Sequence, residues 1–245
     1  MNERSLAARY VRAVTPQLVH NSMFRLSAER VCHELKHRYA SGASTQWSIE
    51  NLRRCGFRPG TVIDCGAFVG DWTRMARGIF PEAKFIMVEP QPNRQQQLRS
   101  LCCDSVVLEQ SLLGAEDRSS VLFHMDDLGG SSVLEQFQNK CPESTSLPMQ
   151  TLDSIASRYK AASPLFLKLD VQGYELEVLR GGQTTLELTE CILMEVSLLP
   201  YNVGGPLFAE IVRFMDERGF CVYDVCHFHR RQSDEAAFQL DVIFV

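Results

Sequence analysis

Apolar positions along this chain cluster in short continuous runs rather than alternating one by one. The runs are Thr61-Val62-Ile63, Lys84-Phe85-Ile86-Met87-Val88, Val106 to Gln110, Leu165 to Asp170 and Ile192 to Val196. Runs of this length with β-branched content predict strands buried on both faces. Between them lie segments compatible with helices, opening at Asp71, near Arg94 and at Tyr174, with a further one ending near Glu217. Alternating strand and helix predicts a parallel sheet covered by helices on both sides. A strand at Ser120–His124, the stretch Gly129-Gly130-Ser131-Ser132 and a polar loop through Pro148 interrupt the pattern. The last two runs, Phe220 to Val225 and Phe238 to Val245, have about a dozen residues and no helix between them. Parallel neighbours need a crossover, so these two are expected to pair as an antiparallel hairpin.

The first 43 residues read as two helices broken near Thr15-Pro16, with Ser41-Gly42-Ala43 as a linker. They hold seven Lys/Arg against three Glu, whereas the chain as a whole is at −5. This divides the chain into a basic helical extension (1–43) and an acidic α/β domain (44–245). The extension is expected to pack on the domain, to cover its site or to join two copies of the chain. Ser48 to Cys55 predicts a helix stopped by Gly56.

Composition narrows the function. The 245 residues are 45% hydrophobic and 22% charged, ordinary values for a globular protein. No basic face dominates, which argues against a nucleic-acid partner. No apolar run approaches the ~20 residues that span a bilayer, and the N-terminus lacks the apolar centre of a signal peptide. Nine cysteines without a C-x-x-C pair imply neither a zinc site nor a disulfide framework. Several, including Cys65, Cys191 and Cys221, lie in apolar runs and read as small buried hydrophobes, as expected of a cytoplasmic protein.

The candidate chemistry sits where strands end. Asp64 closes the first strand, and Gly66-Ala67-Phe68-Val69-Gly70 leads into a helix that contains Trp72. A strand, a glycine turn and a helix N-terminus bring backbone N–H groups against a nucleotide-like ligand, although tight packing alone also produces the pattern. The spacing is G-x-x-x-G rather than G-x-G-x-x-G. The acid precedes the glycines, where it suits a cationic amino group and repels a pyrophosphate. That favours S-adenosylmethionine (SAM) over NAD. The second strand ends in Glu89-Pro90-Gln91, and an acid there is placed to accept both hydroxyls of a ribose. The alternative for Glu89 is an ordinary strand-end acid. Together these features describe an α/β, doubly wound, Rossmann-like sheet that ends in an antiparallel hairpin.

The stretches TVIDCGAFVGDWT, FIMVEPQP, LFLKLDVQGYELEVLRGG, ILMEVSLLPYNVGGPLFAEIV and RRQSDEAAFQLDVIFV resemble the FkbM-type methyltransferases over residues 46–245. The block LKLDVQGYELEVLRGG is the most specific of them. The resemblance implies a SAM-methyltransferase sheet and O-methylation of sugar, glycan or polyketide hydroxyls. Phe68 departs from the pattern, because many members carry a less bulky Gly-Ala-Asn run at this loop. The extension has no recognisable counterpart.

On this reading the cofactor contacts are Asp64, Gly66, Ala67, Phe68, Gly70, Trp72, Glu89, Pro90, Gln91, Gln110, Ser111 and Asp170. Ligands of open α/β sheets bind beyond the carboxyl ends of the strands. Asp170, at the tip of the fourth core strand, is therefore the candidate base, with Lys168 and Glu195 as further catalytic candidates. Its alternatives are a helix cap or, with Glu195, a ligand for a divalent metal such as Mg²⁺, which is not favoured because no clear third ligand is evident. Lys168 is expected to pair with Glu195, Asp170 or both. Gln172, Tyr174, Tyr201, Asn202, His227 and His229 are the candidate contacts to a small-molecule or glycan acceptor. Two other readings remain open here: a nicotinamide-dependent oxidoreductase or epimerase, and a catalytically silent SAM-fold interaction module.

Overall fold

The computed structural model describes residues 44–125, 130–135, 143–231 and 233–245. The expected N-terminal helices and their proposed part in oligomer formation lie outside the described residues.

Among the described residues the strands are β1 (Thr61–Cys65), β2 (Lys84–Val88), β3 (Val106–Glu109), β4 (Leu112–Leu113), β5 (Arg118–Met125), β6 (Glu143–Gln150), β7 (Leu165–Leu169), β8 (Thr189–Ser197), β9 (Val222–Arg230) and β10 (Ala237–Phe244). The helices are α1 (Thr45–Arg54), α2 (Asp71–Ile79), α3 (Gln95–Arg99), α4 (Leu152–Arg158), α5 (Glu175–Arg180), α6 (Gln183–Leu188) and α7 (Phe208–Asp216). Seven strands form the main sheet in the order β3-β2-β1-β7-β8-β10-β9. All neighbours are parallel except β10, which runs antiparallel to both β8 and β9. The order reverses between β1 and β7, and that is where a doubly wound sheet opens its crevice. No described helix is long and apolar enough to cross a membrane.

Both faces of the sheet are buried, as the continuous apolar runs require. Ile63, Leu167, Ile192 and Val242 pack with α4 to α7 through Ile155, Val178, Leu186 and Ile211. Val62, Phe85, Phe166 and Ile243 pack on the other side with α1 to α3 through Ile49, Leu52, Ala76 and Leu98. Strand alternation also places Asp64, Lys168, Glu195 and Asp241 on this second side, near the carboxyl ends of β1, β7 and β8. The apolar layer thus gives way to a polar one at the rim. Helix α1 closes over part of that side. Its N-cap Ser44 accepts from Trp47 N at 3.2 Å, while Ser48 Oγ donates to Asp224 at 2.6 Å and Asn51 to the Tyr223 hydroxyl at 3.0 Å.

Several features depart from the sequence-based expectation. The end of the stretch expected to be a polar loop through Pro148 is strand β6, which pairs with β5 and β4 in a small separate sheet. Most of its residues are exposed or half-buried, so it lacks the apolar run that marks a core strand. Helices α4 and α6 were not expected. Gly181 ends α5 as its C-cap, and Gly182 is at once the N-cap of α6. The terminal hairpin forms, but β9 runs on through His227, His229 and Arg230, so the connection is shorter than a dozen residues. Cys65 and Cys191 are buried as expected, whereas Cys221 is exposed.

Candidate active site

The turn after β1 is locked to both neighbouring strands. Gly66 N and Ala67 N donate to Val88 O at 2.9 and 3.1 Å, and Asp170 N donates to Cys65 O at 3.1 Å. Gly66 has φ +83°, and a Cβ there would stand 2.0 Å from Asp170 O. Only glycine lets the tips of β1 and β7 approach so closely. Phe68 takes a left-handed conformation with φ +47°, which an asparagine would adopt more readily. Its ring lies under the Arg94 guanidinium at 4.4 Å.

Glu89 is 3% exposed and accepts two backbone hydrogen bonds, from Phe68 N at 2.7 Å and from Gln91 N at 2.9 Å. Burial raises its pKa, and those two N–H groups oppose the shift. Glu89 lines a cleft of about 250 Å³ at the point where the sheet order reverses. Gly66, Phe68, Pro90, Gln91, Ser111, Asp170, Gln172 and Tyr174 also border this cleft. Next in the lining after Pro90, Gln91 has a buried Oε1 with no hydrogen-bond partner among the described residues. The cleft is thus bordered by a carboxylate and an amide, a match for a ligand rich in hydroxyl and amino donors. A nucleoside such as that of SAM fits this set.

Other expected contacts stand back from the cleft. Asp64 is fully buried behind it, where it accepts from Thr73 Oγ1 at 2.6 Å and pairs with Lys168 at 3.1 Å. The cationic amino group that Asp64 meets here is therefore the protein's own. Trp72 packs edge-on against Phe166 at 5.7 Å between ring centroids. Gly70 opens α2 with φ +82°, Ala67 is buried, and Gln110 is exposed outside the lining. The sequence reading missed the floor supplied by the small sheet, notably Leu112, Leu113 and Phe123. The Gly129-Gly130-Ser131-Ser132 stretch was a faint signal of it: Ser131 lines the cleft and Ser132 Oγ donates to Gln172 O at 2.8 Å.

Of the two partners expected for Lys168, Asp170 is in place and Glu195 is not. Lys168 Nζ contacts Asp64, Asp170 Oδ2 at 3.4 Å and Gly66 O at 2.7 Å. The reason is register, since Asp64 is the residue directly beside Lys168 on β1, whereas Leu193 is its neighbour on β8. Burial alone would lower the ammonium's pKa, but the two carboxylates outweigh it and hold the group charged. Gln172 (φ +53°) joins Asp170 to Glu195 instead: its Nε2 donates to Asp170 Oδ1 at 2.8 Å and to Glu195 Oε1 at 2.9 Å. Asn202 Nδ2 donates to Gln172 O at 2.7 Å and fixes that turn. Asp170 does not cap α5, whose N-cap is Tyr174. Burial and the neighbouring carboxylates push Glu195 well above the usual carboxylate range. Glu175 went unnoticed in the sequence. It is 2% exposed, accepts from Val171 N and Gly173 N, and is pushed up to about 7 by burial.

On the terminal hairpin, His227 and His229 lie on one face of β9 with ring centroids 4.6 Å apart. Tyr201 stands 6.1 Å from Phe238, and both line a second cavity with Leu199, Pro200, Arg230 and Arg231.

The methyltransferase FkbM domain model matches residues 64–222, most of the chain. The chain belongs to the FkbM methyltransferase family. It is accordingly a SAM-dependent methyltransferase, and the strand order above is the mostly parallel α/β sheet with an antiparallel end expected of it. No curated protein matches the chain. Solved structures similar to this family member include several at 12% identity or less. A precorrin-6y C5,15-methyltransferase from Geobacter metallireducens has 12% identity and a TM-score of 0.42 over 81% of this chain and 84% of its own. Fibrillarin from Aeropyrum pernix, with natively bound SAM, has 12% identity and a TM-score of 0.45 over 77% and 67%. A SAM-dependent methyltransferase from Mesorhizobium loti has 10% identity and a TM-score of 0.46 over 79% and 95%.

Proposed function

We propose that this FkbM methyltransferase is an O-methyltransferase, acting on a hydroxyl of a sugar, glycan or polyketide-type acceptor. SAM, when bound, supplies a methyl group on a sulfonium with a good leaving group. Glu89 accepts the ribose hydroxyls through the lone pairs its two backbone bonds leave free, and Gln91 Oε1 accepts from an amino donor beside them. Phe68, held in place by Arg94, walls the cleft.

The observation that carries the reading is the position of Asp170. Its carboxylate borders the cofactor cleft, has a side chain 38% exposed, and is held on one side by Lys168 and on the other by Gln172. A hydroxyl has to lose its proton as the new C–O bond forms, and a fixed carboxylate between cofactor and acceptor can accept it. The products are then the methyl ether, S-adenosylhomocysteine and a proton carried by Asp170. Lys168 and Gln172 orient that carboxylate rather than touch the acceptor.

Methyl-labelled SAM incubated with a panel of hydroxylated glycosides and polyketides tests this reading. The expected product carries an alkali-stable methyl ether. Asp170→Asn should bind SAM normally while turnover falls about 10²- to 10⁴-fold. Label in an alkali-labile ester or on nitrogen, or near-normal turnover in Asp170→Asn, contradicts it.

A further inference from the structure

Beyond Asp170, on the acceptor side, three donor groups from three adjacent strands converge. Glu195 on β8 lies directly opposite Asp241 on β10, and His229 on β9 flanks them. His229 Nε2 is 3.5 Å from Glu195 Oε2 and 3.5 Å from Asp241 Oδ1, and the three atoms all lie within 4.8 Å of one another. Neither separation is a normal hydrogen bond, and one imidazole nitrogen has a single proton to share between two acceptors. A first-row divalent cation bound at 2.0–2.2 Å holds adjacent N and O ligands about 3.0–3.6 Å apart, so these separations suit a common cation.

The remaining oxygen of each carboxylate is already taken by a neutral donor. Glu195 Oε1 accepts from Gln172 Nε2 at 2.9 Å and from Gln239 Nε2 at 2.8 Å, and Asp241 Oδ2 accepts from Thr45 Oγ1 at 3.1 Å. Outer hydrogen bonds of this kind fix carboxylate ligands in metal sites. They leave Oε2 and Oδ1 turned toward the imidazole. The nearby lysine is committed elsewhere, to Asp64 and Asp170. The side chains of Glu195, Asp241 and His229 are 12%, 23% and 35% exposed, so one side of the cluster stays open to further ligands. Phe238, whose ring is 6.3 Å from that of His229, also lines the second cavity.

We propose that Glu195, His229 and Asp241 form a binding site for a divalent first-row transition cation, with manganese or iron suited to one imidazole and two carboxylates. This replaces the pair Asp170 and Glu195 as the metal-ligand set, because Gln172 stands between those two. On the O-methyl-transfer reading, the open coordination positions take acceptor oxygens and place a hydroxyl beside Asp170.

Calorimetric and EPR titration of the chelator-stripped full chain with MnCl₂ tests the site. One Mn²⁺ per chain is expected. His229→Ala and Asp241→Asn should each weaken it at least about tenfold, since loss of even an outer partner commonly costs that much. Asp170→Asn should leave it within about twofold. The Co²⁺ visible spectrum of the parent chain, which needs no variant, should show bands of a nitrogen- and oxygen-bound ion. No saturable Mn²⁺ binding, equal binding in both ligand variants, or loss confined to Asp170→Asn overturns the proposal. SAM titration of the same variants is expected to be unchanged, so a failed metal site and a failed cofactor reading give different results.

Discussion

Lys168 Nζ lies 3.1 Å from Asp64 Oδ1, and the two side chains are 9% and 1% exposed. The pair joins β1 to β7 at the point where the sheet order reverses, next to Gly66 and Asp170, which border the cleft. Asp64 therefore acts as a support for the cleft, holding Lys168 against Gly66 O and Asp170.

Removing one member of a buried pair strands the other. Lys168→Met is expected to cost roughly 3–5 kcal/mol in chemical denaturation, because Asp64 is left buried without its counter-charge. Adding Asp64→Asn should recover part of that loss. A single variant within about 1 kcal/mol of the parent would contradict the pairing as described.

Glu175 makes stability depend on pH. Its folded pKa of about 7 lies above the ordinary 4.5, so the folded chain keeps a proton that the unfolded chain has released between those values. Stability should fall as pH rises from 4.5 to 7 and level off above, by about 3 kcal/mol in total. Glu175→Gln keeps a carbonyl for Val171 N and Gly173 N but has no proton to lose. Denaturation at pH 5 and pH 8 should show the Gln variant gaining on the parent at the higher pH. Parallel profiles would refute the assignment.

Gly66→Ala should lose at least about 2 kcal/mol, from the left-handed backbone and the overlap with Asp170 O. Thermal melting measures the first effect. SAM titration should show weaker binding too, as Phe68 N and Glu89 lose their common geometry. A variant with the parent's melting temperature and affinity would mean that the β1 and β7 tips can separate freely.

The main sheet was legible in the sequence because its strands are covered on both faces, so that TVIDC and LFLKL read as apolar runs. ESTSLPMQ was not, since a half-exposed strand of a small sheet has no such run and Pro148 argues against one. Glu89 and Asp170 could be placed because strand tips face the crevice. Asp170 could be named as a partner of Lys168, but Asp64 could not, because alternation gives the face of a side chain and not the register that brings Asp64 beside it. Asp241 escaped for a related reason. Gln239 and Asp241 alternate with Leu240 and Val242, which marks a polar side to that strand, but only the insertion of β10 between β8 and β9 brings it to Glu195 and His229.

The account rests on Glu89 as the acceptor for the ribose of SAM, and calorimetric titration of SAM into the parent and Glu89→Ala tests this most directly. The titration belongs well below the variant's melting temperature, since Phe68 N and Gln91 N lose their acceptor. Each charge-assisted hydrogen bond to the carboxylate contributes roughly 1.5–3 kcal/mol, so affinity should fall about 10- to 1,000-fold. A folded Glu89→Ala chain that binds SAM as tightly as the parent would contradict the account.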